Sequence, residues 1–225
     1  MKEQRKKAKL FSLKYLFVDF VRITGVLPTL IWYRPKFIYE NKAAKKKIKG
    51  GALLVSNHNC FFDPVYLMLA VWYRRQHYIC NKQFYETKAK WFLEHVLCIP
   101  IDIETTGFGT MKEINEHLTS GEVVSIFPEG HINDGSGEMR GFKSGMVLMA
   151  MRAKVPIIPV YIKAHEPRWS RLRIVIGEAI DINEMFGGRP TMSDIEQVTN
   201  LIFNKESELK ELAFPQHGNN PIGGI

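Results

Sequence analysis

Cysteine is scarce in this chain. The three residues present, Cys60, Cys80 and Cys98, form no CxxC pair. That excludes a disulfide framework and the usual zinc-finger spacings, and it suits a reducing compartment. Acidic residues are nearly missing from the first fifth. Residues 1–49 hold 14 Lys/Arg against 3 Asp/Glu, a net of +11, while the remainder is net −3 within an overall +8. No uninterrupted apolar run reaches the ~18 residues of a simple membrane span. A signal peptide fits poorly as well, because charges fall inside the first apolar region and no small-residue cleavage site follows it. Internal repeats and an interdomain linker are also lacking. With 45% hydrophobic and 24% charged residues over 225 positions, a disordered or collagen-like chain is excluded and one sizeable domain is expected.

The basic first segment, residues 1–49, surrounds a greasy stretch from Lys14 to Tyr33. Leu16, Phe20, Ile23, Leu27 and Leu30 recur there at helical spacing, interrupted by Asp19, Arg22, Gly25 and Pro28. With basic runs on both sides, residues 15–33 are expected to form a helix lying in the interface of an anionic membrane. The alternative is a helix packed on the protein's own core. No nucleic-acid partner is expected, since the basic runs are interleaved with apolar residues and not with polar readers.

After Gly50-Gly51 short apolar runs alternate with helical patterns. Strands are expected at 52–56, 77–80, 122–127, 155–162 and 171–177. Helices are expected at 65–73, 84–96, around Met111, Ile114 and Leu118, at 143–153 and at 192–213, the last opened by a Thr191/Asp194 capping box. This order predicts an α/β fold, with one domain over residues 50–215, a largely parallel sheet covered by helices, and a loose tail at 216–225. In such sheets, sites gather where strands end.

Two strand ends carry the reactive groups. Ser56-Asn57-His58 leads into a turn, and Asp63-Pro64 follows. Histidine suits general-base work near neutral pH, and a carboxylate on its other ring nitrogen would fix the tautomer. Asp63 can also be read as a helix N-cap before Pro64. The second strand ends in Phe127-Pro128-Glu129-Gly130-His131. There Gly130 permits an unusual backbone angle and Glu129 could orient an acceptor hydroxyl. Arg140 and Lys143, beside an expected helix start, suit an anion. Cys60 reads as a small loop residue rather than a nucleophile. His58, Asp63, Glu129 and His131 match no metal spacing, and no metal is expected. His77, His95, His117 and His165 belong to no sequence cluster, and Trp72, Trp91 and Trp169 read as packing.

Taken together and in order, these pieces resemble the lysophospholipid acyltransferases over about Ala52–Ile180. The family's N-H-x4-D stands at Asn57–Asp63 and its F-P-E-G at Phe127–Gly130. Its F-K-x-G stands at Phe142–Gly145, its V-P-I-x-P at Val155–Pro159, and a variant of its G-E-P-I at Gly177–Ile180. The resemblance implies transfer of a fatty acyl chain from acyl-CoA or an acyl carrier protein to the hydroxyl of a lysolipid acceptor. The first acceptor it implies is 1-acylglycerol-3-phosphate. It further implies His58, Asp63 and Glu129 as catalytic residues and Asn57, Gly130, His131, Arg140 and Lys143 as substrate-binding ones. No cofactor beyond the thioester co-substrate is implied, and the location is the cytoplasmic face of the cell membrane. Backbone N–H groups near Gly130 are candidate oxyanion donors. Two positions depart from the pattern, Ile103 and Ile132, where the family carries arginines linked to holding the acceptor phosphate. An aliphatic side chain makes no charge-assisted bond to phosphate. Two alternatives therefore stay open: the same chemistry on a lysolipid without a phosphomonoester, and a non-catalytic membrane-binding module.

Overall fold

The computed structural model describes residues 13–102, 107–133, 138–163, 171–186 and 190–214. Helix α1 (Leu13–Tyr33) leads into β1 (Lys36–Tyr39). Then follow β2 (Ala52–Ser56), α2 (Asp63–Ala70), β3 (Gln76–Asn81), α3 (Lys82–Tyr85), α4 (Lys90–His95) and β4 (Cys98–Ile101). The chain continues through α5 (Phe108–Thr119), β5 (Val123–Ile126), α6 (Gly145–Ala153), β6 (Ile157–Lys163) and β7 (Arg173–Ile176). A single 3-10 turn (Ile182–Met185) precedes α7 (Met192–Ala213).

The seven strands form one sheet in the order β1-β7-β6-β2-β5-β3-β4. β6, β2, β5, β3 and β4 run parallel, β7 is antiparallel to β6, and β1 is parallel to β7. The α/β expectation with a mostly parallel sheet is thus met. β2 lies at the centre with all five residues buried, as a run covered on both faces requires. Its alternate side chains feed two cores. Leu53 and Val55 pack with residues of α5, α6 and α7, while Ala52 and Leu54 pack with residues of α2. α7 opens on the expected capping box between Thr191 and Asp194. At Gly121 (φ +91°) the chain turns from α5 into β5.

Three sequence readings change. The sheet begins before residue 50, because Lys36–Tyr39 pairs with Arg173–Ile176, so the basic segment contributes a strand to the domain. A four-residue strand inside a lysine-rich run has too little periodicity to be read. β4 was likewise too short. The single helix expected over 84–96 is instead the pair α3 and α4, divided at Glu86–Ala89, where the Thr87 hydroxyl donates to the carbonyl of Phe84 and accepts from the N–H of Ala89, and the Thr87 carbonyl accepts from Lys90. The tail at 216–225 lies outside the described residues.

The five apolar residues expected to form one stripe of α1 all face outward, with Phe20 59% and Ile23 66% exposed; Ile31 and Trp32 extend the patch at 75% and 80%. The opposite face holds buried Val18 and packs on α2 and α4. The charges lie on that inner side. Asp19 receives the Nη2–H of Arg75 over 2.6 Å and Nη1–H of Arg22 over 3.0 Å, and Arg22 also donates to the carbonyl of Trp72. Contrary to expectation, Trp72 and Trp91 are exposed, at 65% and 60%; Trp169 lies outside the described residues.

Candidate active site

The C-terminal end of β2 delivers Asn57 and His58 into a short loop that closes at Asp63, the first residue of α2. Nδ1–H of His58 donates to Oδ2 of Asp63 over 2.8 Å. The same oxygen accepts the backbone N–H groups of Asn59 (2.5 Å) and Cys60 (2.7 Å). Asp63 is fully buried, and a buried carboxylate is tolerable only when donors of this kind surround it. Its bonds reach back to the preceding loop; no side-chain cap bond forms at the start of α2. The N-cap role considered for Asp63 is therefore not the one it takes. His58 is also stacked on Phe127, with ring centroids 4.2 Å apart and planes 19° apart. With Nδ1 held by Asp63, Nε2 keeps its lone pair for a substrate proton.

The second strand end fixes the backbone of His58. Glu129 is 1% exposed. Its Oε1 accepts the N–H of His58 over 2.9 Å, and its Oε2 accepts the N–H of Arg140 over 2.8 Å. On the other side the carbonyl of His58 accepts the N–H of Asn133 over 2.8 Å. Glu129 is thus a bracket between three chain segments, with each oxygen taking a backbone N–H. Asn57 is likewise structural: it is fully buried, and its side-chain amide exchanges two hydrogen bonds with the backbone of Ile162 on β6. Both were expected nearer the substrate. Local motif spacing could not reveal this, since the partners lie 71 and 105 positions away.

Gly130 takes φ +79°, and its own N–H donates to the carbonyl of Phe127 over 3.1 Å. That N–H is therefore not available as an oxyanion donor. The positive φ favours glycine at this turn, and the end of the Lys143 side chain passes close by, 3.1 Å from where a Cβ would stand. Lys143, His131 and Ile132 line the mouth of the same cavity as His58. The side chain of Arg140 is not among the lining residues; its backbone serves Glu129. Ile103 lies outside the described residues. Burial, with Asp63 adding to it, pushes the Cys60 thiol up to about 11, so it stays protonated and is no nucleophile.

The cavity itself is the feature that the motifs did not reveal. It has a volume of about 620 Å³ and runs from His58 into the domain between α1, α2, β3 and α4. Val18, Val21, Val65, Met68, Ile79 and Phe92 are among its apolar walls. Within ~300–1,000 Å³ lie the volumes of most small-ligand pockets. Val18 and Val21 form a second, inward stripe on α1, legible only once the outward stripe is assigned. Behind the site, Glu206 on α7 is fully buried without a hydrogen-bond partner for either oxygen, and burial followed by the nearby charge of Glu129 raises its carboxyl well above the usual range.

A base held by a buried carboxylate at the mouth of an apolar cavity can deprotonate a hydroxyl beside a bound lipid chain. Comparison with known proteins agrees. The 1-acyl-sn-glycerol-3-phosphate acyltransferase of Bacillus subtilis is 24% identical over 168 residues, 71% of this chain and 81% of that one. The enzyme of that name from Streptococcus pneumoniae is 26% identical over 188 residues, 81% of this chain and 66% of its own. The fold matches the crystal structure of the 1-acyl-sn-glycerophosphate acyltransferase of Thermotoga maritima, with TM-score 0.62 and 17% identity over 88% of this chain and 80% of that one. The family model described as Acyltransferase matches residues 35–163, beginning one residue before β1, and the chain belongs to that acyltransferase family.

Proposed function

We propose that this enzyme transfers a fatty acyl chain from an acyl thioester to the free hydroxyl of 1-acylglycerol-3-phosphate, in phospholipid synthesis. The observation that carries the reading is the His58–Asp63 pair at 2.8 Å opening onto the 620 Å³ apolar cavity. Nε2 of His58 takes the acceptor's hydroxyl proton as that oxygen bonds to the thioester carbonyl carbon. The tetrahedral adduct collapses, the C–S bond breaks, and the imidazolium returns the proton to the departing sulfur. Asp63 stabilises the imidazolium and keeps its ring in place. The acyl chain occupies the cavity between α1, α2 and α4. Lys143 and His131, at the mouth, support an anionic acceptor headgroup. The thioester, on coenzyme A or a carrier protein, is a co-substrate, and no resident cofactor enters these steps.

The reading extends to location. The outward face of α1, from Leu16 to Trp32, is apolar and exposed, and Asp19 and Arg22 on its inner side hold it to the domain. A helix fastened along its length this way lies in the interface with its apolar face in lipid, and the flanking lysines favour the anionic cytoplasmic leaflet. Such a placement would set the cavity, which α1 walls, within reach of insoluble acceptors.

A second acceptor class has one observation in its favour. Ile132 lines the cavity mouth at 45% exposure and cannot bind a phosphomonoester, so a lysolipid with another headgroup would use the same chemistry. Both readings are tested by supplying labelled long-chain acyl-CoA or acyl carrier protein and a panel of lysolipids to the purified protein on anionic vesicles. Transfer to 1-acylglycerol-3-phosphate, lost at least ~10²-fold in His58→Ala, is the expected result. Transfer only to another headgroup would replace the acceptor, and no transfer to any acceptor would overturn the reading.

A further inference from the structure

At the end of the sheet remote from His58, three side chains from separate elements converge. His77 is the second residue of β3, His117 lies in the last turn of α5, and Glu122 immediately precedes β5. β2, β3 and β5 run parallel, so the beginnings of β3 and β5 lie opposite the end of β2 that presents the catalytic histidine. Nε2 of His77 stands 3.0 Å from Oε2 of Glu122, and Nδ1 of His117 stands 2.6 Å from the same oxygen. All three donor atoms lie within 4.8 Å of one another, the only such group of three or more His, Cys, Asp or Glu among the described residues. The two imidazoles are stacked, centroids 3.8 Å apart with 29° between their planes.

We propose that His77, His117 and Glu122 form a structural site for a divalent transition-metal ion, with zinc the best-matched, which ties the end of α5 to the starts of β3 and β5. Nothing in this rests on the acyl-transfer reading. Two imidazoles and one carboxylate are a donor set that zinc accepts, at about 2.0–2.2 Å from each atom, with a fourth position left for water. Tetrahedral geometry at those lengths spaces neighbouring donors about 3.3–3.5 Å apart. The present 3.0 and 2.6 Å contacts therefore have to open by less than about 1 Å. The rings must also turn out of their stack so that the ion lies in the plane of both, each carrying its proton on the nitrogen away from the ion. His77 is nearly enclosed, with 6% of its side chain exposed, and is the fixed donor. His117 and Glu122 are 23% and 30% exposed, which gives the rings room to turn and an ion and its water a path of entry.

The charge around the cluster agrees. Of the nearby cations, Arg75 is engaged by both oxygens of Asp19, and Arg74 is turned onto the carbonyls of Ile48, Gly50 and Gly121. Transition ions other than zinc share the affinity for imidazole, in the order cobalt, nickel, copper, which makes cobalt a usable optical probe.

The test is to titrate metal-stripped full-length protein with Co²⁺, following its visible absorption, and then with Zn²⁺ by calorimetry and thermal melting. One equivalent per chain is expected, with cobalt displaced by zinc and a melting shift that grows with the logarithm of free metal. Affinity should fall at least tenfold in His117→Gln and in Glu122→Gln and stay unchanged in His58→Ala. Because either cluster variant could fold poorly, His117→Cys supplies a second reading. It should keep the site and add a sulfur-to-cobalt charge-transfer band. No cobalt band and no zinc-dependent melting shift in the unmutated protein would overturn the proposal. So would binding that survives His117→Gln or disappears in His58→Ala, and so would a cobalt spectrum of His117→Cys without the sulfur band.

Discussion

The sheet carries a histidine–carboxylate cluster at each of its two strand ends, with contacts of similar length and different surroundings. At one end Asp63 holds a single imidazole at 2.8 Å, takes two backbone N–H groups on the same oxygen, and is fully buried. The ring it holds borders a large apolar cavity. At the other end Glu122 takes two imidazoles, at 3.0 and 2.6 Å, and remains part-exposed, and none of the three lines that cavity. A short contact to a carboxylate therefore does not mark a base. The surroundings of the ring decide: that of His58 lines the apolar cavity, whereas those of His77 and His117 are stacked on each other. Strand direction sets the difference, because parallel strands collect their C-terminal loops, and with them the chamber, at one end.

The sharpest way to break this comparison is to remove one imidazole from each cluster. His58→Ala should lower kcat/KM toward the upper part of the ~10²–10⁴-fold range for general-base catalysis, while His117→Ala should leave it unchanged. Equal losses would mean that the two ends do not differ as described. Asp63→Asn comes next, at ~10²-fold, because a neutral amide, even with its oxygen in the place of Oδ2, carries no charge to stabilise the imidazolium. A bell-shaped pH profile that keeps its height and position in this variant would remove Asp63 from the mechanism. Glu129→Gln is smaller again. One of its two backbone donors would face an amide N–H, costing ~1–3 kcal/mol of stability and, through the shifted His58 backbone, about tenfold in kcat. Denaturant melts and steady-state kinetics on the same preparation measure both.

What the sequence made legible follows the range of each interaction. His58 and Asp63 are five residues apart, and their pairing is local. The outward stripe of α1 repeats at helical spacing, and it is exposed rather than packed on the protein's own core. The bond from the His58 backbone to Glu129 carried no sequence signal, because the two are brought near only when β5 pairs with β2. His77 and Glu122 are 45 positions apart and meet through the pairing of β3 with β5, so His77 carried no sequence signal, and His117, five positions from Glu122, had no motif around it. The cavity had none either, because its walls come from eight elements whose apolar residues read as ordinary core.

Glu206 offers the finest comparison, set against Asp63. Both carboxyls are fully buried, but Asp63 is surrounded by donors and Glu206 has no partner for either oxygen. Burial, then the neighbouring charge of Glu129, raises Glu206 well above the ordinary carboxyl range, so in the folded protein it stays protonated at pH values where the unfolded chain has released that proton. The unfolded state then binds fewer protons than the folded one, and stability must fall as pH rises from the ordinary carboxyl pKa up to the raised folded value, levelling beyond it. Glu206→Gln keeps the shape of the neutral acid and cannot ionise. Its stability relative to the unmutated protein should therefore improve with rising pH, by at most ~1.4 kcal/mol per unit, while kcat near neutral pH changes least of all the variants considered. Urea unfolding of both proteins between pH 5 and 8 measures that difference directly. A difference that does not change with pH would mean that Glu206 is ionised in the fold, and that its charge is met by a donor such as a buried water.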